Sequence, residues 1–174
     1  MIIRQLREED IDVVLRINAD AAPHVAKLDA TELRRLVAIA DTACVAEEAT
    51  NVIGYLLAMS DSCDYEGEEF RHFRGLIEQP FLYIDQITVD REARRMQIAS
   101  KLYEHLVQRG RRLDIRLLCC EVNVRPANPI SLWFHERLGF EKVCELETAD
   151  GRTVRLLCKR ISIDFGGRHA HILS

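Results

Sequence analysis

Apolar residues recur along this chain at two periods, and each change of period marks an element. Met1 to Leu6 reads as a short strand. From about Glu9, Ile11, Val14, Leu15 and Asn18 share one helical stripe, which Pro23 interrupts. Asp29, with Glu32 three residues on, predicts the cap of a second helix carrying Leu33, Leu36, Val37 and Ala40. The β-rich runs 43–47 and 52–59 flank residues 48–51 and predict a hairpin. Segment 61–80 has no clean period. It mixes Asp64, Glu66, Glu68 and Glu69 with Arg71, His72, Arg74 and three aromatics, Tyr65, Phe70 and Phe73, and reads as a long loop placed to cover a substrate.

The second half is more regular. Residues 81–89 predict a strand, and Ala99, Leu102, Leu106 and Val107 form the stripe of a helix from Ile98 to Arg109, with Gly110 as its C-cap. Arg116 to Val124 is a short apolar strand. Asn128-Pro129 opens another helix, a capping side chain followed by proline, and Gly139 ends it. Residues 140–147 and 153–159 predict a last hairpin turning at Asp150-Gly151. Strands and helices in this order predict a mixed α/β sheet with helices on both faces. The expected organisation is one domain over residues 1–160 and a C-terminal extension, 161–174, without clear period.

Composition narrows the function. The chain has 174 residues, 48% hydrophobic and 30% charged, as expected of a globular domain. A net charge of −4 argues against nucleic acid or an anionic membrane as the main partner. Charge is nonetheless concentrated locally: Arg91, Arg94, Arg95, Lys101, Arg109, Arg111 and Arg112 crowd one segment. The N-terminus lacks an apolar signal region, and no segment approaches the ~20 apolar residues of a membrane span. Six cysteines form no C-x-x-C pair, and Cys119 and Cys120 alternate across an apolar strand. Reduced, buried thiols in a cytoplasmic protein are expected.

The stretch from Phe81 to Leu102 carries the most chemistry: a buried strand, a turn, then a basic patch running into an amphipathic helix. A helix start aims free backbone N–H groups and its dipole at one point, an arrangement that binds phosphates. Asp85 lies inside the apolar strand, where a charge is costly without a purpose or partner. It is a candidate base or water-positioning carboxylate, with a structural ion pair as its rival. Glu121, on the neighbouring strand, is the second candidate by the same logic. Cys119 and Cys120 have no sequence-local base that would support a covalent acyl-enzyme.

These residues resemble the GNAT superfamily of acyl-CoA-dependent N-acetyltransferases over roughly residues 1–160. Arg94-Arg95-Met96-Gln97-Ile98-Ala99 is similar to the family's acyl-CoA signature, and Asn128 with Leu138-Gly139-Phe140 is similar to its second motif. The resemblance implies a mostly antiparallel sheet of six to seven strands with about four helices. It implies direct transfer of acetyl from acetyl-CoA, with no metal, to a primary amine of a small molecule, amino acid or peptide. Ile87, Thr88 and Val89 would offer backbone to the pantetheine arm, the Arg94–Ser100 segment (Arg94, Arg95, Met96, Gln97, Ile98, Ala99, Ser100) would hold the diphosphate, and Asn128 would contact the arm. Two positions depart from the family pattern. Gln97 replaces the central glycine, so either it adopts helical dihedrals with its side chain turned away or the cofactor binds somewhat differently there. His135 stands where a tyrosine often donates the proton to the leaving thiolate, and is a candidate acid. These departures keep alive an alternative, an acyl-CoA-binding module with weak catalysis. An exposed strand edge near the C-terminus would permit a homodimer.

Overall fold

The computed structural model describes residues 1–162. Seven strands and five α-helices form among them: β1 (Ile2–Gln5), α1 (Ile11–Ala21), α2 (Ala30–Ile39), β2 (Thr42–Glu48), β3 (Asn51–Ser60), α3 (Glu68–Leu76), β4 (Leu82–Val89), α4 (Ile98–Arg112), β5 (Leu117–Arg125), α5 (Pro129–Arg137), β6 (Glu141–Glu147) and β7 (Thr153–Arg160). The strands make one sheet in the order β1-β2-β3-β4-β5-β7-β6. Neighbours run antiparallel except β4 and β5, which pair in parallel.

Alternation along the strands feeds two cores. One face packs Val45, Tyr55, Leu57, Tyr83 and Cys119 against Val14 and Ile17 of α1, Leu33 and Leu36 of α2, and Phe70 and Phe73 of α3. The other packs Leu56, Ala58, Ile84, Leu118 and Cys120 against Leu102, Tyr103 and Leu106 of α4. Adjacent Cys119 and Cys120 therefore enter opposite cores, as strand alternation requires.

Local signals end most elements. Asp29 caps α2, its carboxylate accepting from the Glu32 N–H at 2.8 Å. Residues Ala49 and Thr50, both at positive φ, close the β2–β3 hairpin between the paired Glu48 and Asn51. Gly139, at φ +82°, ends α5; its N–H bonds to the Glu136 carbonyl and that of Phe140 to the His135 carbonyl.

Three expectations change. Segment 61–80 is not wholly irregular, because α3 occupies its middle. Only two large apolar residues, Phe70 and Phe73, anchor this helix, against Phe81 and Tyr83 at ring separations of 5.5–6.3 Å. Glu68 and Glu69 in its first turn and Arg74 in its last suit the helix dipole. Secondly, α4 continues through Gly110 to Arg112. Gly110 is a packing position rather than a cap: a Cβ there would stand 2.6 Å from Ile161 and 3.2 Å from the Ile115 carbonyl. Thirdly, Ile161 is buried and its N–H bonds to the Arg116 carbonyl, so the start of the expected extension belongs to the sheet side of the core. Residues 163–174 of that extension lie outside the described residues.

Candidate active site

The parallel pairing of β4 with β5 is short. It runs from Leu82–Leu118 to Ile84–Cys120 and then stops, although both strands continue. On the other side of β4 the register slips between Leu57–Gln86 and Ala58–Ile84, leaving Asp85 as the extra residue of a bulge. The next residues, Asp85 on β4 and Glu121 on β5, stand where the strands part. Ile87, Thr88 and Val89 follow on β4, paired with β3 but beyond the β4–β5 ladder. A cavity of about 250 Å³ opens here, with Asp85, Glu121, Glu69 and Glu32 in its wall.

Each central carboxylate accepts a hydrogen bond from a tyrosine. Tyr65, from the segment before α3, donates to Asp85, and Tyr83 donates to Glu121 at 2.7 Å. Burial dominates both titrations. It pushes Asp85 up to about 6, opposed by the Tyr65 hydrogen bond. It pushes Glu121 up to about 8, reinforced by the charge of Glu69 and opposed by Tyr83. Near neutrality Asp85 is mostly ionised and Glu121 mostly protonated, so the two acids are suited to different work.

His135 and Tyr103 close another side of the cavity. Nδ1 of His135 lies 2.7 Å from the Ser131 carbonyl, which only accepts, so Nδ1 carries the proton. Nε2 then accepts from the Tyr103 hydroxyl at 2.6 Å. Burial lowers the His135 pKa and keeps the ring neutral. In this tautomer His135 has no proton to give on its cavity side. The proton of the pair sits on the Tyr103 hydroxyl and points at Nε2, so it reaches the cavity when the hydroxyl rotates away from the histidine. Asn128 caps α5, its side chain accepting from the Ser131 N–H at 3.2 Å, while it also borders the cavity.

The basic turn precedes α4. Arg94, Arg95, Met96 and Gln97 are exposed, Ile98 is buried, and Ala99 and Ser100 are half-buried on the first turn of α4. Gln97 adopts φ 59°, ψ 19° and Arg95 φ 71°, so both take the left-handed conformation, which leaves the first of the two alternatives for Gln97, helical dihedrals, unmet. The first intrahelical donor recorded there is Lys101, whose N–H bonds to the Gln97 carbonyl. The amides of Ile98, Ala99 and Ser100 precede it. No side chain caps this helix and no acid sits in its first turn, in contrast to the capped α2 and α5. An uncapped, basic helix start preceded by left-handed residues fits a diphosphate.

Comparison with known proteins assigns the chain. The model of the Acetyltransferase (GNAT) family matches residues 11–140. The chain belongs to the GNAT acetyltransferase family. Solved structures share its fold. A ribosomal-protein-alanine N-acetyltransferase from Brucella melitensis aligns with a TM-score of 0.70 at 21% identity, covering 92% of this chain and 99% of that one. Ard1 from Thermoplasma volcanium gives 0.73 at 17% identity, with 92% and 97% covered. Arabidopsis thaliana NAA60, solved with acetyl-CoA, gives 0.71 at 19%, with 92% and 99% covered. Comparison with curated proteins returns no match.

Several residues in or behind the wall of this acetyltransferase's cavity carried little signal in sequence. Asn18 lies on the apolar stripe of α1, and its side-chain amide holds the α1–α2 connection: Nδ2 donates to the Ala26 carbonyl at 2.9 Å and Oδ1 accepts from the Leu28 N–H at 2.9 Å. Gln86 also donates to Ala26 and accepts from the Tyr55 hydroxyl at 2.7 Å. A polar residue interrupting an apolar stripe was the available clue for Asn18. Arg152, from the β6–β7 turn, reaches Glu69 of α3 at 3.0 Å and Asn123 of β5 at 3.2 Å, tying three elements together at the cavity. No signal in the sequence marked it. Among the described residues no helix is long and apolar enough to cross a membrane, and no group of three or more His, Cys, Asp and Glu could hold a metal ion.

Proposed function

We propose that the protein moves an acetyl group directly from acetyl-CoA to a primary amine of a small molecule, amino acid or peptide. The observation that carries this reading is the parting of β4 and β5 at Asp85 and Glu121, two carboxylates held at different protonation states in one cavity. The basic turn from Arg94 to Gln97, with the amides of Ile98, Ala99 and Ser100, would hold the diphosphate of the donor. Ile87, Thr88, Val89 and Asn128 border the path toward its thioester.

Asp85 is the base. A group titrating near 6 is ionised at neutral pH and basic enough to take a proton from an amine, directly or through one water. As the amine nitrogen bonds to the acetyl carbon and the carbon–sulfur bond breaks, the Tyr103 O–H turns from Nε2 of His135 to the sulfur and supplies the proton it needs. His135 holds the Tyr103 hydroxyl by its neutral Nε2 and acts as a positioning residue. The nitrogen loses one proton and the sulfur gains one, so Asp85 and Tyr103 return to their starting states through solvent. Glu32, Glu69 and Asp85 outnumber Arg152 in the cavity wall, and the remaining negative balance favours a cationic acceptor. Alanine N-acetyltransferases among the structural neighbours, at 16–21% identity, keep peptide N-termini within this class. A cytoplasmic location and an amine partner without nucleic acid or membrane suit an acidic chain of this composition.

The test is thiol release from acetyl-CoA across a panel of amines, amino acids and short peptides, alongside calorimetry with the donor. Turnover on at least one primary amine supports the proposal. Tight donor binding without turnover on any acceptor favours a binding module, and no donor affinity at millimolar concentration removes both readings.

A further inference from the structure

Away from the cavity, two thiols meet across the sheet. Cys119 of β5 and Cys158 of β7 are direct partners in the antiparallel register, and their sulfurs lie 3.3 Å apart. Directly paired residues of antiparallel strands have Cα atoms about 4.5–5.5 Å apart, inside the range a disulfide spans. The sulfurs have about 1.2 Å to close, from 3.3 Å to the ~2.05 Å of a bond. The two environments differ. Cys119 is fully buried, whereas Cys158 is half-buried and lines an open hollow of about 820 Å³ beside Lys142 and Arg160.

We propose that Cys119 and Cys158 form a peroxide-reactive dithiol, a reversible modification site that tethers the catalytic strand β5 to β7. Cys158 is the attacking sulfur. Its thiol is lowered from the usual value by its contact with Cys119 and by the charge of Arg160, whereas burial raises Cys119 and Cys120. The Cys158 thiolate attacks one oxygen of hydrogen peroxide, the O–O bond breaks, and hydroxide leaves, giving a sulfenic acid. Cys119 then attacks that sulfur. The S–S bond forms, the S–O bond breaks, and the departing hydroxide takes the Cys119 proton as water. Two thiols and one peroxide become one disulfide and two waters. Two equivalents of a small-molecule thiol reverse the reaction, emerging as their own disulfide.

The tether closes a loop between residues 119 and 158 without moving either strand, so it stabilises the fold. Oxidised protein is expected to melt roughly 5–10 °C above reduced protein.

The purified full chain is treated with stoichiometric hydrogen peroxide, alkylated without reduction and mapped by mass spectrometry. A peptide linking Cys119 to Cys158, four of the six thiols still alkylated, and a raised melting temperature reversed by a small thiol support the proposal. Cys158→Ser and Cys119→Ser each abolish the linked peptide, and Cys63→Ser leaves it intact. Cys158 is half-buried, so its replacement keeps the test open if Cys119→Ser fails to fold. Overoxidation of Cys158 without linkage, a different pairing, or linkage with an unchanged or lowered melting temperature overturns it.

Discussion

The Tyr103 hydroxyl of α4 donates to Nε2 of His135 on α5, 32 residues later, at 2.6 Å. The bond turns a histidine aligned with a usual tyrosine position into the holder of a tyrosine from another helix. Tyr103→Phe keeps the ring contacts with Phe134 and Phe140 while removing the hydroxyl. Turnover is expected to fall on the order of 10²-fold with donor affinity unchanged. Steady-state kinetics beside calorimetry checks it, and unaltered turnover would exclude the hydroxyl from the reaction.

Asp85 predicts the acid limb of the pH profile. A base must be deprotonated, so activity falls as pH drops below about 6. Asp85→Asn is expected to lower turnover by about 10²–10⁴-fold and to abolish that limb. A retained limb in the variant would assign it to the acceptor or to another group.

Glu121 makes a prediction about stability with the opposite character. Its folded pKa is raised from 4.5 to about 8, so the folded state binds its proton more tightly than the unfolded chain does. That contribution is complete below 4.5 and is lost as pH rises to about 8. Glu121→Gln stays neutral throughout. Its melting temperature should therefore gain on wild type steadily across that window and hold a constant lead above it. Parallel melting curves across the window would contradict the raised pKa.

Gln97 occupies a left-handed conformation that glycine adopts without strain. Gln97→Gly is expected to stabilise the protein by about 1 kcal/mol, read by denaturant unfolding. Gln97→Ala keeps its Cβ and should bring no such gain. Equal stability of the two variants would show that the turn is not strained at this residue.

Asn18 predicts an effect on the acceptor side. Asn18→Ala leaves the Leu28 N–H without its acceptor and the Ala26 carbonyl with Gln86 alone, a loss of roughly 1–3 kcal/mol in stability. The amine KM should rise while donor affinity holds. A KM unchanged on a folded variant would mean that the α1–α2 connection does not shape acceptor binding.

Much of the fold was legible because its signals are local. The Asp29 and Asn128 caps, the Gly139 stop and the turn at Asp150-Gly151 act within a few residues, and strand alternation separates Cys119 from Cys120 without reference to distant contacts. Helix α3 was hidden because two phenylalanines hold it, and their partners, Phe81 and Tyr83, lie beyond the helix itself. Gly110 misled for a related reason: the atoms that exclude a side chain there belong to Ile115 and Ile161.

By itself the sequence determined the order of the strands and of every α-helix but α3, the basic helix start at Ile98 and the identity of two unusual carboxylates, since each depends on neighbours along the chain. The tertiary structure decided what those groups do to one another. Asp85 and Glu121 face one cavity because a bulge in β4 and the early end of the β4–β5 ladder coincide. Their pKa values separate because burial and the charge of Glu69 act unequally on them. His135 finds Tyr103, and Cys119 finds Cys158, through packing and register, which depend on how distant segments meet in space.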